Sequence, residues 1–180
     1  MGETEKTSHD LFHSFCVRPD VRFDTQEDGE VVILMLRAHP ITQLPWIISG
    51  IILIVLLIFA NVVFFGFLTP PQILIINLYS VIFIASYLWL NFLLYFFNVG
   101  IVTNMKVLDI DFHMVLYKET TEARLDRIED VTAKMGGYFA SIFNFGDVFI
   151  QTAGTEANIE FLKVPRPSEV VSIVNKLGES

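Results

Sequence analysis

From Ala38 to Met105 the sequence has no aspartate, glutamate, lysine or arginine, so all thirty-two of its acidic and basic residues lie in the two flanks. Charged residues make up 18% of the chain against about 25% in soluble domains, and a soluble domain does not sort them this way. Cysteine is nearly absent: Cys16 alone cannot close an intrachain disulfide, so nothing here requires an oxidising compartment. A basic surplus is missing too. The net charge is −8, with four basic against eight acidic residues before Ala38 and eight against twelve after Met105. That balance excludes an electrostatic footprint for nucleic acid and argues against tight charge-driven binding of anionic headgroups. Residues 1–40 also lack a basic stretch leading into an apolar one, so insertion is expected to be directed by internal apolar segments.

What is present instead is two long apolar runs. The first, about 46–68, holds seventeen Ile, Leu, Val or Phe residues. At 1.5 Å per residue it is about 35 Å long, enough for a hydrocarbon core of roughly 30 Å. Each such residue favours insertion by roughly 0.3–0.6 kcal/mol near the helix centre. Thr69-Pro70-Pro71-Gln72 is read as a helix break, and the second run, about 73–97, completes an antiparallel transmembrane hairpin within 45–98. Trp46, Trp89 and Tyr95 suit an interfacial aromatic belt. Asn61, Asn77 and Asn91 are expected to hydrogen-bond across the hairpin or to a second subunit. Gly50 and Gly66 are not spaced as a close-packing pair. Arg37 before the hairpin and Lys106 after it, with no basic residue in the connection, place both termini in the cytoplasm of a multi-pass plasma-membrane protein.

Around the hairpin the pattern is different. Residues 1–25 read as a mobile tail with one docked piece near 11–15. Residues 26–44 hold a turn at 26–29 and a short buried strand near 31–36, which is placed to join the sheet that follows the hairpin. Residues 99–180 read as short strands: 100–111, 114–117, 122–126, 130–135, 147–152 and 158–164. A helical turn or two is expected at 138–143, and Ala153-Gly154-Thr155-Glu156 as a hairpin turn. A final helix follows 165–168, with Ser168 as its N-cap and Glu169 near the positive end of the dipole. The expected fold class is an α+β membrane protein: the hairpin plus a curled antiparallel β-sheet or barrel capped by a C-terminal α-helix.

Two constellations invite chemistry. His9, His13 and Cys16 have metal-like spacing, but a structural site needs four ligands and no fourth is nearby. Asp126, Glu129, Asp130 and Asp147 bring carboxylates without a histidine or nucleophile in a recognisable arrangement, the ordinary pattern of a solvated strand face. No catalytic residue, metal, cofactor or small-molecule substrate is therefore expected.

Several stretches in order carry a family resemblance: Leu36-Arg37-Ala38-His39-Pro40, Ile101-Val102-Thr103-Asn104, Leu125-Asp126-Arg127-Ile128-Glu129-Asp130-Val131, Phe145-Gly146-Asp147-Val148-Phe149-Ile150-Gln151-Thr152-Ala153-Gly154 and Val164-Pro165-Arg166-Pro167. Over roughly 26–177 the chain resembles the bacterial PH-domain membrane proteins of the YdbS type. The resemblance implies a pleckstrin-homology-like fold, a bent antiparallel sheet capped by a C-terminal helix, without enzyme activity. It marks Arg37, His39, Pro40, Thr103, Asn104, Arg127, Asp130, Gly146, Asp147, Gln151, Gly154, Pro165 and Pro167 as motif residues with structural or interaction roles. Where relatives often carry a basic residue directly after Thr-Asn, this chain has Met105 and then Lys106. The residues themselves supply reasons: Gly146 for a tight turn into a strand, Gly154 for a hairpin reversal, and Arg127 for pairing with Glu129 or Asp130. The expected role is a membrane-anchored binding or scaffold module, meeting a protein partner or another copy of itself. The alternatives are a lipid-headgroup sensor using Lys106, Lys118, Arg124, Arg127 and Lys134, or an accessory subunit of a transporter or secretion complex.

Overall fold

The computed structural model describes residues 13–19, 21–23, 25–113, 117–153 and 158–178. Strand β1 (Phe15–Val17) and strand β2 (Val32–Leu36) precede the apolar helices α1 (Leu44–Phe64) and α2 (Pro70–Phe97). Strands β3 (Val99–Thr103), β4 (Lys106–His113), β5 (Tyr117–Arg124) and β6 (Ile128–Lys134) follow, then helix α3 (Gly137–Phe143). Strands β7 (Phe145–Thr152) and β8 (Ile159–Pro165) and helix α4 (Pro167–Gly178) complete the chain.

The proline pair does not end a helix. Pro70 and Pro71 open α2 at its first two positions, where a missing N–H costs nothing, and Gln72 Oε1 accepts from the Thr69 N–H at 2.9 Å. The connection therefore moves from residues 69–72 to residues 65–69. The helices approach closely at Gly50, which is buried: a Cβ there would stand 2.5 Å from Leu88 Cδ2. A lone glycine facing a leucine thus lets the helices meet, although the spacing of Gly50 and Gly66 shows no pair. Both helices are long and apolar enough to cross a membrane, and only 6% of each apolar window is buried within the fold.

The strands from the two sides of the hairpin form one sheet, in the order β1-β2-β3-β4-β5, antiparallel throughout. Leu36 faces Gly100, so the chain leaves the sheet at β2, runs out and back along α1 and α2, and re-enters beside its exit. An irregularity between Val32 and Leu34 resets the side-chain alternation. Leu34 and Leu36 enter the main core, while Val32 turns to the other face with Ile101 and Leu108. The expected strand 100–111 is two strands, because Asn104-Met105 turns the chain, and residues 111–113 extend β4 instead of turning.

β6, β7 and β8 form a second antiparallel sheet. Among the described residues no ladder joins β5 to β6, so the barrel alternative is corrected to two sheets. The cause is the 3-10 turn Leu125–Arg127, whose buried Leu125 enters the core and redirects the chain. The sheets face each other through Leu34, Val102 and Val107 on one side and Val148, Ile150 and Phe161 on the other. α4 packs across β6 and β7 with Val170 and Val174 fully buried. It starts two residues earlier than the Ser168 cap implies, because Pro167 occupies its first position. Gly154 and residues 114–116 and 155–156 lie outside the described residues, as do His9, Leu11 and Phe12. Of the expected docked piece at 11–15, the described part ends in β1.

Candidate functional site

Where β2 hands over to α1 and α2 to β3, a cavity of about 270 Å³ opens between the helix ends and the sheets. Arg37 and Thr42 line it on the entry side, Asn98 on the return side, and Asp109, Asp111 and Glu160 on the sheets. Each comes from a different constraint.

Arg37 directly follows β2 and is 7% exposed. Its Nε donates to the Phe96 carbonyl at 3.1 Å, and its guanidinium lies 4.8 Å from the centre of the Phe96 ring. A cation thus sits on the last turn of α2, where the helix dipole is negative. Burial holds its pKa below the ordinary guanidinium value. His39 caps the turn Pro40–Gln43 that leads into α1: its ring Nδ1 accepts from the Ile41 N–H at 3.2 Å, and its backbone N–H donates to the Lys163 carbonyl at 2.7 Å. Its ring stacks on Phe145 at 5.6 Å. Burial lowers the imidazole pKa, which suits a nitrogen that must accept. Pro40 takes the first position of that turn.

The acidic wall was not foreseen. Asp109 and Asp111 alternate on β4, a spacing that puts both on one face, but Glu160 comes from β8 and no local pattern announces it. Burial first, then Asp111, Glu160 and Glu119, push the Asp109 carboxyl up to about 7. The wall can therefore hold a proton near neutrality. Among the described residues no three histidine, cysteine or acidic side chains are grouped to hold a metal ion.

The remaining motif residues divide between two ends of the fold. At the end away from α1 and α2, Thr103 and Asn104 lace the β3–β4 turn to residues 29–31. Asn104 Oδ1 accepts from the Val31 N–H at 2.8 Å, and the Thr103 hydroxyl lies 2.7 Å from Glu30 Oε1 and accepts from the Lys106 N–H at 2.9 Å. Lys106 itself is buried among Glu27, Glu30 and Glu122, at 3.8, 3.8 and 3.5 Å. Arg127 closes the 3-10 turn, and its carbonyl accepts from the Ala153 N–H at 2.8 Å. Asp130 faces Gln151 across β6 and β7, both exposed, and accepts from the Thr132 hydroxyl at 2.9 Å.

At the end beside the helices, Asp147 Oδ1 accepts from the Lys163 N–H at 2.7 Å, holding a residue whose φ is 55°. Gly146 has no left-handed φ, so the turn argument for it is replaced by close approach: a Cβ would lie 2.5 Å from the Lys134 carbonyl oxygen. Pro165 and Pro167 are buried, with Pro167 against Gly146. Of the five basic residues proposed for headgroups, Lys106 and Arg124 face each other at the far end among carboxylates. Lys134 and Lys118 lie on β6 and β5 at the opposite end, Lys134 over the Phe149 ring at 4.5 Å. Arg127 closes the 3-10 turn that follows Arg124, so the five are divided between the two ends of the fold.

Asn61 and Asn77 lie in the hairpin and bond to each other, while Asn91 Nδ2 donates within α2 to the Tyr87 carbonyl at 2.8 Å. Cys16 is buried, and its Sγ donates to the His13 carbonyl at 3.4 Å.

No curated protein and no solved structure matches the chain. A family model described as bacterial PH domain matches residues 31–178, from β2 through the helices and remaining strands to α4, and no enzyme family matches. The chain belongs to the bacterial PH domain family.

Proposed function

We propose that the protein is a non-enzymatic binding or scaffold module, anchored by α1 and α2 as a transmembrane hairpin, with its two-sheet domain at the cytoplasmic face. The observation that carries this reading is the surface of the hairpin. Ile51, Val55, Phe59 and Val62 on α1, and Leu78, Ile82 and Phe83 on α2, are all more than half exposed. Contiguous apolar surface of that extent needs lipid or protein cover. Arg37 and Lys106 as the flanking basic residues support cytoplasmic termini.

Binding is assigned to the sheet edges. Among the described residues β5 pairs only with β4, leaving an outer edge to which an extended peptide, or the same strand of a second copy, can add. Lys118, Glu119 and Glu122 on that strand select against indiscriminate pairing.

The test is carbonate extraction of membranes holding the full chain, followed by cross-linking in the membrane and purification in detergent. Retention in the pellet together with a recurrent cross-linked partner, another copy included, is the expected result. Release into the supernatant overturns the anchor, and repeated recovery of a lone monomer overturns the binding role.

A further inference from the structure

Among the described residues outside the hairpin, α3 and its flanks hold most of the exposed large apolar side chains. Tyr138 is 88% exposed, Phe139 72% and Ile142 68%, with Met135 and Phe143 beside them. Three of the seven residues of α3 are exposed aromatics, and Ala140 alone is buried. A helix that only connected β6 to β7 would put polar side chains there.

Its place in the fold identifies what covers it. β6 runs toward α3 and β7 away from it, and Phe145, two residues after α3, stacks on His39 just before the chain enters α1. The same corner is tied by the His39 N–H to Lys163 carbonyl bond and by the bond from Arg166 N–H to the Asn144 carbonyl at 2.8 Å. Leu162, exposed on β8, shares the junction cavity with Thr42 and Gln43 at the foot of α1. α3 thus lies at the end of the domain from which the hairpin departs. At the opposite end the exposed large apolar side chains among the described residues are Val31 and Met105.

We propose that α3 is a second membrane contact, an interfacial wedge whose Tyr138, Phe139 and Ile142 enter the headgroup region of the leaflet through which α1 passes. This rests on the hairpin crossing that bilayer. The occupant is lipid because the patch adjoins the apolar surface of the hairpin and is rich in the aromatic side chains that favour the interface. An interfacial helix of this kind lies in the membrane plane with its apolar face about 5–10 Å into the headgroup boundary. With one face on the bilayer and one strand on each helix, the domain is held in a fixed orientation, and β5 is presented at a constant angle to the membrane.

The experiment uses the full chain in phosphatidylcholine vesicles, with Cys16→Ser as background and one environment-sensitive fluorophore at Ile142→Cys, Val55→Cys or Asp126→Cys. Quenching is compared between a lipid carrying a bromine-labelled acyl chain and aqueous iodide. The expected result is strong lipid quenching at positions 142 and 55, and iodide quenching alone at 126. If 55 responds to lipid while 142 responds only to iodide, the wedge is overturned and the anchor stands. If 142 is shielded from both quenchers, protein covers α3, either a second copy or another segment, and the wedge is again overturned. Absence of lipid quenching at 55 overturns the anchor itself and the wedge with it. Tyr138→Cys, labelled in parallel, replaces the position 142 probe should that variant fail to fold.

Discussion

Asn61 and Asn77 exchange two hydrogen bonds of 2.7 Å across the helical hairpin, each amide donating to the other's carbonyl oxygen. Asn61 also donates to the Leu57 carbonyl of its own helix at 2.8 Å. The pair closes on itself and fixes the register of α1 against α2. With the hairpin in the bilayer as proposed, such a pair would contribute about 0.6 kcal/mol on average and up to about 1.7. Asn61→Leu or Asn77→Leu should therefore loosen the hairpin by about 1 kcal/mol, because the remaining amide is orphaned. The double variant should lose less than the two singles combined. Unfolding of the full chain in mixed micelles, read through a double-mutant cycle, checks this; strict additivity would remove the pair from the account.

Lys106 is the next test, because it is buried among carboxylates at the β3–β4 turn. Its ammonium also donates to the Thr25 carbonyl at 3.0 Å, and the Glu30 side chain is fully buried. Losing one member of a buried pair costs about 3–5 kcal/mol, and the exposure of Glu27 and Glu122 lowers this toward about 2–3. Lys106→Met should lower the unfolding free energy sharply, whereas Glu122→Gln should change it by less than about 1 kcal/mol. Denaturant titration of the two variants separates a structural lysine from a surface one.

The hairpin was legible because sixty-eight consecutive residues without Asp, Glu, Lys or Arg and a 3.6-residue helix leave few alternatives. The joining of residues 31–36 to the post-hairpin sheet was legible too, since an antiparallel hairpin returns the chain to its starting side. The prolines at 70 and 71 misled: Pro breaks a helix interior but suits a first turn, and only Thr69 and Gln72 decide between these. Gly146 was picked out for the wrong reason, because a turn glycine and a close-approach glycine look alike in sequence. The acidic wall could not be found at all. Glu160 is about fifty residues from Asp109, and only the packing of β8 against β4 brings them together.

Gly146 now makes a sharper prediction than its turn reading did. A Cβ there meets backbone, the Lys134 carbonyl oxygen, as well as Met135 Cγ at 2.8 Å, and backbone cannot swing away. At Gly50 the obstacle is the tip of the Leu88 side chain, which can change rotamer. Gly146→Ala should destabilise by about 2–3 kcal/mol, in the range of overpacking a filled site. Gly50→Ala should cost about 1 kcal/mol or less. Thermal unfolding of the domain and of the hairpin, followed separately by near-UV signal and by micelle-unfolding assay, compares the two. Equal losses would show that the β6–β7 corner yields as easily as a leucine side chain.

The Asp109 carboxyl gives the protein a pH dependence opposite to that of most carboxylates. In the unfolded chain it ionises near 3.8; in the fold, burial and then the charges of Asp111, Glu160 and Glu119 delay this to about 7. Between those values the folded state binds the extra proton, so stability from this group is complete below pH 4 and is lost as pH rises through about 7. The difference corresponds to roughly 4 kcal/mol as an upper value, since Asp109 keeps part of its surface in the cavity. His39 acts in the other direction. Burial lowers its pKa, so its contribution is present above the ordinary imidazole value and is lost as pH falls. Asp109→Asn should therefore stabilise the protein at pH 8, change it little at pH 4, and leave a melting profile whose remaining fall on acidification begins near the histidine range. Melting curves of the two proteins from pH 4 to 8 test the assignment: parallel profiles would mean that Asp109 titrates in the fold as it does in water, and the acidic wall would then hold no proton at neutral pH.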